Sequence, residues 1–479
     1  MVAVVLSLSL LEDYMSNNHY PDLQICVLAA GRGKRMHSSL PKVLHKVLGR
    51  AMIDYVLHTV ESLRPKGIAV VTGHASELVR EHVGQPANLE WVIQDKQLGT
   101  GHAVKQCEKV IHSVRDVLIV CGDTPLLSAH TLARLVDEHR SRDTDVTVLT
   151  AEQENPFGYG RIVRDSDQHV TAIVEEKDAS DGQRRITEVS SGIYCVRHEV
   201  LFDLLRAIGN RNAQDEYYLP DIVPLALAAG QRVDAVLMDD ADEMTGVNDR
   251  VDLAEVEGMM QNSIIRDWQL RGVTIEKPDT VRIEAGVSIG IDTLIQAGCY
   301  LIGCTHIGDE CRVGPNSVLV DAWLDDRVNI FAFSHIHGAS VGSDASVGPY
   351  ARLRPETQLD EHVHIGNFVE IKKSVIGRGS KVNHLSYIGD TGVGADCNIG
   401  AGAITCNYDG ANKFRTEIGN HVFIGSDTQL VAPVRVGDGA TIGAGATITR
   451  DVPAGGLTMS ERTEQRYIAE WKRPKKDKG

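Results

Sequence analysis

Asp438-Gly439-Ala440-Thr441-Ile442-Gly443-Ala444-Gly445-Ala446 is the cleanest copy of a short unit that recurs from about Val273 to Ile448. Each unit carries an Ile or Val followed by Gly, then four small or polar residues before the next Ile or Val. This period fits neither an α-helix nor a half-buried strand; it is typical of a parallel β-helix. We expect one short strand per unit, an apolar side chain in a narrow axial core, and glycine at corners that need positive φ. The pairs with this spacing are Ile307/Val313, Val341/Val347, Val393/Ile399, Ile418/Ile424 and Val436/Ile442.

Upstream of the repeat, strand and helix patterns alternate. Residues 25–28, 68–71 and 117–120 are apolar runs typical of buried strands, and residues 51–63 have the spacing of an amphipathic helix. This alternation predicts a doubly wound, mostly parallel sheet. Residues 249–269 predict a helix that links two domains. The expected fold is α/β + β: a Rossmann-like amino-terminal domain, a linker helix, and a carboxyl-terminal left-handed parallel β-helix of hexapeptide repeats.

Changes in pattern also give the expected domain boundaries. Met1–Leu11 is apolar but lacks a basic leading region and an Ala-x-Ala cleavage site, so it is a poor signal peptide and Met15 is an alternative start. The end of the chain is a basic tail of the kind that is usually solvated. The expected divisions are a disordered leader at 1–22, the α/β domain at 23–248, the linker helix at 249–270, the β-helix at 271–456 and the basic tail at 457–479.

Composition limits the class of protein. The chain of 479 residues is long enough for two or three domains, and its formal charge of −16 argues against a non-specific nucleic-acid binder. The nine cysteines are scattered without a Cys-x-x-Cys spacing, so neither a disulfide framework nor a zinc site is expected. No segment is long and apolar enough for stable membrane insertion. We therefore expect a cytoplasmic protein.

A glycine-rich turn follows the first predicted strand. It reads Leu28-Ala29-Ala30-Gly31-Arg32-Gly33-Lys34-Arg35-Met36, where small residues let the backbone approach a nucleotide and loop amides can face phosphate oxygens. Arg35 and Lys42 offer positive charge for a triphosphate. The turn is neither a dinucleotide fingerprint nor a Walker loop, because the final Gly-Lys-Ser/Thr is missing. On these residues alone, a plain strand-to-helix turn stays an alternative.

Further motifs follow in a set order: Leu40-Pro41-Lys42, Gln97-Leu98-Gly99-Thr100-Gly101-His102-Ala103, Gly122-Asp123-Thr124-Pro125-Leu126, Gly158-Tyr159-Gly160-Arg161, Val174-Glu175-Glu176-Lys177-Asp178 and Gly246-Val247-Asn248. This series resembles the sugar-phosphate nucleotidylyltransferases. Combined with the β-helix, it is similar to the bacterial family of bifunctional N-acetylglucosamine-1-phosphate uridylyltransferases/glucosamine-1-phosphate acetyltransferases. The resemblance covers nearly the whole chain, from about Leu23 to Gly456.

The resemblance implies a uridylyl-transfer site in the first domain. Arg35 and Lys42 would serve catalysis, and Asp123 and Asn248 would hold Mg²⁺, which prefers oxygen ligands. Taken alone, Asp123 could be a turn residue before Pro125, but it follows a buried strand at its carboxyl end, where such sheets bind ligands. The residues implied to contact UTP or UDP-N-acetylglucosamine are Leu28, Ala29, Ala30, Gly31, Lys42, Gln94, Gly99, Thr100, Cys121, Gly122, Asp123, Gly160, Glu175, Ser190 and Asn248.

Two positions depart from the family pattern. Cys121 stands where the family usually has an aromatic residue, and Ser190-Ser191-Gly192 stands where it usually has Asn-Thr-Gly. Ser190 can still form a hydrogen bond, but it is shorter than Asn and lacks the second group of the amide. The departures concern the sugar contact and leave the implied metal ligands unchanged.

Polar residues interrupt the apolar rhythm of the β-helix in successive turns. At roughly 18 residues per turn, His384 is expected about one turn from Lys372 and Asn407, so that the three share one face. A histidine that titrates near neutrality can remove the ammonium proton of an amino sugar before the amine attacks a thioester. A lone histidine would be read as a surface residue; the cations and Asn407-Tyr408 at matching turns favour a site.

By resemblance, His384 is the general base of an acetyl transfer. The repeat pauses between Cys406 and Thr416, which predicts a loop that leaves the β-helix; the family is trimeric, with this site between chains. The implied ligands of glucosamine 1-phosphate are Arg354, Lys372, Tyr387 and Asn398. The implied acetyl-CoA contacts are Ala401, Asn407, Tyr408, Ser426, Ala444 and Arg462.

The predicted function is a two-step synthesis of UDP-N-acetylglucosamine, a cell-wall precursor. The β-helix would acetylate glucosamine 1-phosphate with acetyl-CoA, and the first domain would couple the product to UTP with Mg²⁺. One alternative is a single-activity nucleotidylyltransferase whose β-helix serves only regulation or assembly. A purely structural β-helix protein would leave Asp123 and Asn248 without a purpose.

Overall fold

The structure is a computed structural model that describes residues 19–31, 33–73, 75–460 and 469. The predictions made for residues 1–18, for Arg462 and for most of the basic tail lie outside these residues. The chain divides into two compact units between Ile264 and Ile265. Among the described residues, no helix combines the length and the apolar character that crossing a bilayer requires.

The first unit contains a nine-stranded mixed sheet and a short hairpin. Buried aliphatic residues dominate the sheet strands, as the apolar runs of the sequence predict. The strands, in chain order, are β1 (Leu23–Ala29), β2 (Lys46–Val47), β3 (Arg50–Ala51), β4 (Gly67–Thr72), β5 (Leu89–Ile93), β6 (Asp116–Cys121), β7 (Val146–Glu152), β8 (Arg161–Arg164), β9 (Val170–Val174), β10 (Glu188–Arg197) and β11 (Val233–Leu237).

The main path through the sheet runs β11-β7-β10-β6-β1-β4-β5. Strands β6, β1, β4 and β5 are parallel to one another, as a doubly wound sheet requires. Strand β10 is antiparallel to both β6 and β7, and its register shifts between Ser190 and Tyr194. The main path is therefore mostly parallel with β10 inserted antiparallel, and β8 and β9 add antiparallel pairings beside it. The carboxyl ends of β1 and β6 lie side by side.

Helices flank the sheet on both faces, and each face has its own buried core cluster. The α-helices are α1 (Met52–Ser62), α2 (Ser76–Val83), α3 (Thr100–Lys105), α4 (Ala129–Ser141), α5 (His198–Ala207), α6 (Ile222–Ala228) and α7 (Arg250–Leu270). The 3₁₀ helices are Lys34–Met36, Lys42–Leu44, Gln106–Lys109, Gln183–Arg185, Leu219–Asp221, Ala241–Met244 and, in the second unit, Pro278–Thr280.

The second unit is a β-helix of three parallel sheets. Its first sheet has the strands Thr274–Ile275, Leu294–Ile295, Arg312–Val313, Asn329–Ile330, Ser346–Val347, His364–Asn367, Lys381–His384, Asn398–Ile399, Phe423–Ile424, Thr441–Ile442 and Leu457–Thr458. Its second sheet has Arg282–Ile283, Tyr300–Ile302, Val318–Val320, His335–His337, Arg352–Leu353, Glu370–Lys372, Tyr387–Gly389, Ile404–Cys406, Gln429–Val431 and Thr447–Ile448. Its third sheet has Ser288–Ile289, His306–Ile307, Trp323–Leu324, Ser340–Val341, Gln358–Leu359, Val375–Ile376, Thr391–Val393, Thr416–Ile418 and Val434–Val436.

The predicted rhythm of the β-helix is confirmed by the pairing of its strands. Ile289 pairs with Ile307 and Ile295 with Val313, each 18 positions further along the chain. Consecutive strands of one turn belong to three different sheets, so each turn has three sides. All ten Ile and Val residues that define the repeat are buried, with no more than 4% of their surface exposed.

The prediction of glycine at corners that need positive φ is confirmed at positions such as Gly439 and Gly445, with φ 66° and 73°, but it does not account for the glycines that follow the repeat Ile and Val residues. Of the ten glycines that follow these Ile and Val residues, only Gly348 has a positive φ. Most of the others lie against the backbone of the next turn. A Cβ on Gly314 would lie 2.7 Å from the Ala332 nitrogen, and one on Gly400 would lie 2.6 Å from the Ser426 nitrogen. Close stacking of turns, rather than backbone conformation, thus requires glycine at these positions.

Candidate functional sites

The first candidate site lies at the carboxyl end of β1. Ala30 and Gly31 follow the strand, and the 3₁₀ helix Lys34–Met36 comes shortly after them. A cleft there is lined by Gly31, Gly33, Lys34, Arg35, Lys42 and Asn248. Three of these side chains are cationic, so the cleft suits a polyanion such as a triphosphate.

Lys42 joins the two residues implied as metal ligands. Its ammonium forms an ion pair with the Asp123 carboxylate, and its Nζ also donates a hydrogen bond to Asn248 Oδ1 at 3.3 Å. One positive group is therefore shared by a carboxylate oxygen and an amide oxygen that are 125 positions apart in sequence. Two converging oxygens of this kind are the donors that Mg²⁺ prefers, so the pair fits a divalent cation.

The start of α7 holds Asn248 in place. The Asn248 backbone N–H donates to Asp252 Oδ2 at 2.8 Å, and Asp249 Oδ1 accepts from the N–H groups of Val251 and Asp252. Side-chain oxygens thus satisfy the free N–H groups of the first helical turn. Val247 N–H donates to the Asp123 carbonyl at 3.1 Å, which ties the two ligand segments together.

Gln94, Gly99 and Thr100 meet beside the same sheet edge. Gln94 Nε2 donates to the Gly99 carbonyl at 3.1 Å, and Thr100 Oγ1 accepts from Leu219 N–H at 3.0 Å. Gly99 has φ 109° and faces the Tyr217 backbone, where a Cβ would lie 2.5 Å from the carbonyl oxygen. These contacts fix the conformation of the segment that carries Gly99 and Thr100, and only glycine fits at position 99.

Cys121 and Gly122 continue the edge from β6. Gly122 N–H donates to the Leu28 carbonyl at 2.9 Å, so the two strand ends are joined directly. Burial raises the pKa of the Cys121 thiol to about 12, and the neighbouring Asp123 acts in the same direction. The thiol therefore stays protonated and is not a nucleophile at neutral pH.

The implied sugar contacts also come together. Ser190 N–H donates to the Gly160 carbonyl at 2.8 Å, and a Cβ on Gly160 would lie 3.5 Å from Glu175 Oε1. The Ser190 hydroxyl accepts from Gly192 N–H at 3.3 Å, within the register shift of β10. Burial raises the pKa of the Glu175 carboxyl, Asp178 and Asp221 raise it further, and Arg161 opposes them.

We expect Glu175→Gln to stabilise the first domain at neutral pH. A carboxyl whose pKa is raised on folding loses its proton first in the unfolded chain. The native state is therefore destabilised as pH rises above the ordinary value of about 4.3. The variant should melt about 1–4 °C higher than the wild type at pH 7, and this difference should disappear near pH 4. Calorimetry across this range is the measurement, and a lower melting temperature at pH 7 would contradict it.

The second candidate site centres on His384, the last residue of its strand in the first sheet. His384 Nδ1 lies 2.8 Å from Asn367 Oδ1 in the preceding turn. With the amide oxygen as acceptor, Nδ1 carries the hydrogen and Nε2 is left as the basic nitrogen. The cavity around the ring is lined by Phe331, Gly348, Pro349, His364, Gly366, Asn367, Asn383 and His384.

Several implied acetyl-CoA contacts lie in one column with His384. Gly402 N–H donates to the His384 carbonyl at 3.1 Å, Asp427 N–H to the Ala401 carbonyl at 2.7 Å, and Gly445 N–H to the Ser426 carbonyl at 2.8 Å. These backbone bonds stack the turns at the corner between the first and second sheets, which we call the histidine corner. His384, Ala401, Ser426 and Ala444 occupy equivalent places along it, and Asn398 lies on the adjoining first sheet.

A cluster of charged side chains lies at the other end of the second sheet, which we call the cation corner. Arg354 Nη1 donates to Glu370 Oε1 at 2.9 Å, and Lys372 Nζ lies 3.8 Å from Asp390 Oδ2. The Asn407 amide also donates to this Asp390 oxygen. Direct contact with the Lys372 ammonium lowers the pKa of Lys413, and charge repulsion adds to this effect. Adjacent ammonium groups suit a phosphate group.

The structure therefore separates the predicted acetyl-transfer residues into two groups. His384 and the Ala401 column lie at one edge of the second sheet, whereas Lys372 and Asn407 lie at the other. Tyr387 lies on the second sheet, and its hydroxyl group lies above Gly389, close to the Asn407 amide. The predicted set thus spans one face of the β-helix instead of forming a single contact cluster. Tyr408 begins the loop that leaves this face, and its ring is 60% exposed.

The sequence interpretation missed four residues of these sites. Lys413 lies in the irregular loop, where the repeat gives no position for its side chain. Asp390 and Glu370 look like ordinary surface carboxylates until they are seen beside Lys372 and Arg354. Asn367 pairs with His384 in strand register, 17 positions away. The turn length predicts this last neighbour, so the signal was present in the repeat.

Comparison with known proteins covers both units. Residues 25–325 match the nucleotidyl transferase family model, and residues 415–450 match the model of six bacterial transferase hexapeptide repeats. The first match spans more than half of the chain.

Similar curated proteins span nearly the whole length. The chain is 47% identical over 447 residues to the "Bifunctional protein GlmU" of Pelobacter propionicus, covering 93% of this chain and 97% of that one. The protein of the same name from Azoarcus sp. is 48% identical over 456 residues, covering 95% of this chain and 100% of that one. That of Pseudomonas putida is 47% identical over 456 residues, covering 95% and 99%.

Proposed function

This chain belongs to the family of bifunctional GlmU proteins, and we propose that its two activities use the two sites described above. It is a transferase that acetylates glucosamine 1-phosphate from acetyl-CoA and then transfers a uridylyl group from UTP to N-acetylglucosamine 1-phosphate with release of pyrophosphate. The observation that carries the assignment of sites is the presence of two separate cationic clusters, around Lys42 and around Lys372.

In the first site, Arg35 and Lys42 neutralise the triphosphate of UTP, and the segments around Gln94 and Gly99 hold the uridine. Asp123 and Asn248 would hold Mg²⁺, which would supply positive charge to the reacting phosphates. The sugar phosphate attacks the α-phosphorus, and pyrophosphate leaves with the electron pair of the broken P–O bond. The reaction needs charge neutralisation and in-line placement rather than a protein nucleophile, in agreement with the protonated Cys121.

The acceptor sugar lies against Gly160. A Cβ at Gly160 would lie 3.1 Å from the Ile173 side chain and 3.5 Å from Glu175 Oε1, so the loop backbone packs closely beside the Glu175 carboxyl. A carboxylate beside a pyranose accepts hydrogen bonds from its hydroxyl groups. Ser190 approaches the same place through its backbone, because its N–H donates to the Gly160 carbonyl. A shorter side chain than Asn at this position shifts sugar recognition toward Gly160 and Glu175.

In the second site, His384 Nε2 removes a proton from the ammonium group of glucosamine 1-phosphate. The free amine then attacks the thioester carbon, a C–N bond forms, and the C–S bond breaks as the CoA thiolate leaves. Asn367 Oδ1 keeps the proton on Nδ1, so that Nε2 stays the base. The sugar lies across the second sheet with its phosphate at Arg354, Lys372 and Lys413.

Assembly as a homotrimer completes this second site. The implied acetyl-CoA contacts fall at two corners of one chain, because Ala401, Ser426 and Ala444 follow His384 whereas Tyr408 lies on the loop beyond the cation corner. The histidine corner also carries an exposed stack of Phe333, Tyr350 and Phe368, with ring centroids 5.0 and 5.3 Å apart. Exposed apolar stacks are typical of subunit contacts. A loop of one chain thus reaches the thioester held by its neighbour.

The cytoplasm is the compartment that fits the cysteines. All nine are free thiols in the structure, and most are buried. A reducing compartment keeps such thiols reduced.

Product analysis by mass spectrometry tests the whole proposal. The protein is incubated with glucosamine 1-phosphate, acetyl-CoA, UTP and Mg²⁺, and UDP-N-acetylglucosamine, CoA and pyrophosphate should accumulate in equal amounts. Omitting acetyl-CoA should stop formation of the nucleotide sugar, and adding N-acetylglucosamine 1-phosphate should restore it. If glucosamine 1-phosphate stays unacetylated, the protein is instead a single-activity nucleotidylyltransferase.

A further inference from the structure

Arg161 is a charged side chain buried beside the sugar loop. It begins β8 directly after Gly160, and only 1% of its surface is exposed. Its Nη1 donates to the Tyr159 carbonyl, and its Nη2 donates to Glu176 Oε2 at 2.7 Å and to the Arg184 carbonyl at 3.4 Å. One guanidinium therefore joins the loop before β8, the segment after β9, and the 3₁₀ turn Gln183–Arg185.

Glu176 also binds the backbone of the loop before β8. The same Oε2 atom that accepts from Arg161 also accepts from the Gly158 backbone N–H at 3.2 Å. Glu176 Oε1 lies 3.6 Å from Nε of Arg184, which is half exposed. Both oxygens of the Glu176 carboxylate thus have a partner within the protein. Its neighbour Glu175 lies against Gly160.

The Arg161–Glu176 ion pair holds Gly160 from both sides. Gly158 and Tyr159 on one side, and Arg161 on the other, are all attached to one ion pair, and Gly160 lies between them. Glu175 and Glu176 are adjacent, so the pair also sets where the Glu175 carboxyl lies. Hydrogen bonds to charged partners in a buried place are among the strongest in a protein, and they fix geometry as well as contributing energy.

We propose that the Arg161–Glu176 pair is a positioning device for the sugar-phosphate subsite, holding the Gly160 backbone and Glu175 at the separation that the acceptor sugar requires. This inference rests on the proposed function of Gly160 and Glu175. Neither Arg161 nor Glu176 contacts the substrates; they act through the loop. The pair therefore governs recognition of the sugar phosphate and leaves binding of UTP unchanged.

Steady-state kinetics of Glu176→Gln in the full-length enzyme test this. The substitution keeps the shape of the side chain and removes the charge that holds Arg161. Displacement of positioned groups by about 1 Å can cost about 10²-fold in rate, and loss of the sugar contacts at Gly160 and Glu175 weakens binding. We therefore expect kcat/KM for N-acetylglucosamine 1-phosphate to fall by about 10-fold or more, chiefly through a higher KM. The KM for UTP should change by less than about twofold. Glu176→Asp, which keeps the charge on a shorter stem, should give a smaller rise.

The chain offers two controls. Glu188→Gln breaks a similar ion pair, between Glu188 of β10 and Arg164 of β8, where Arg164 Nε lies 2.7 Å from the carboxylate and neither residue is bonded to the loop at 158–160. This variant should keep the wild-type KM for the sugar phosphate. Acetyl transfer by the same preparations reports that the second unit is folded, and an unchanged KM for UTP reports the same of the first unit.

Two results would overturn the inference. Either the KM for the sugar phosphate is unchanged in Glu176→Gln, or the KM values for both substrates rise equally, as a general loss of domain structure would produce. Glu175→Gln separates this failure from failure of the proposed function. If Glu175→Gln raises the KM for the sugar phosphate while Glu176→Gln does not, only the positioning role is wrong. If Glu175→Gln has no effect, the sugar site itself is wrong.

Discussion

Replacing His384 with alanine is expected to lower the kcat of acetyl transfer by about 10²- to 10⁴-fold, the contribution typical of a general base. The ammonium group of the amino sugar would have no acceptor for its proton, and an ammonium has no lone pair with which to attack the thioester. Uridylyl transfer should stay within about twofold of the wild type, because its residues lie in the other unit. Release of the CoA thiol and of pyrophosphate measure the two reactions separately.

The matched control is His421→Ala, which removes an exposed histidine elsewhere in the β-helix. It should retain both activities. If His384→Ala and His421→Ala have equal effects, His384 is a surface residue and the assignment of the base is wrong. A parallel fall of both activities in His384→Ala, with an unchanged melting temperature, would contradict the separation of the sites.

Mixing variants tests whether the site is shared between chains. His384→Ala and Tyr408→Ala chains are refolded together, so that, in the proposed trimer, some neighbouring chains pair an intact histidine with an intact loop. Acetyl transfer should reappear in the mixture, in up to roughly a quarter of the sites if chains of a closed ring mix at random. No recovery would place both residues of each site in one chain.

The sequence predicted the β-helix better than it predicted the sheet of the first domain. A period imposed by identical stacked turns is visible in the chain itself, and the buried Ile307 and Val313 confirm it. Strand β10 is different, because its antiparallel pairing depends on β6 and β7, which lie 36 or more positions away in register. No local pattern distinguishes a parallel from an antiparallel neighbour.

The sequence motifs predicted candidate site residues but not the side chains that these residues contact. Lys42 was expected to meet phosphates, and the structure adds its contacts with Asp123 and Asn248. Such contacts join segments whose separation along the chain carries no information about distance in space. The reverse holds for Asn367 and His384, since the length of one turn predicts their contact. Contacts between turns of a repeat can therefore be predicted from the sequence, whereas contacts between loops of an open sheet cannot.

The second large effect is expected at Asp123, one of the two proposed metal ligands. Asp123→Asn should lower kcat/KM of uridylyl transfer by about 10²- to 10³-fold, comparable to the loss of one preorganised charge-stabilising group. The amide keeps the size of the side chain but removes the negative charge that balances both Lys42 and a divalent cation. Lys42 is only 14% exposed, so it would remain as a half-buried cation with Asn248 as a neutral partner.

Titration with Mg²⁺ distinguishes a metal ligand from a turn residue. If Asp123 binds the ion, the Mg²⁺ concentration that gives half-maximal pyrophosphate release should rise in Asp123→Asn, and acetyl transfer should be unaffected. Asn248→Ala removes the neutral oxygen ligand and should raise the same concentration by a smaller factor, because a neutral oxygen attracts the ion less than a carboxylate does. Asp203→Asn, at an exposed helical carboxylate, is the control and should match the wild type. An unchanged Mg²⁺ requirement in Asp123→Asn would mean that Asp123 acts through Lys42 alone. The contacts of Asp123 and Asn248 with Lys42 would then serve to position the Lys42 ammonium group for binding the phosphates.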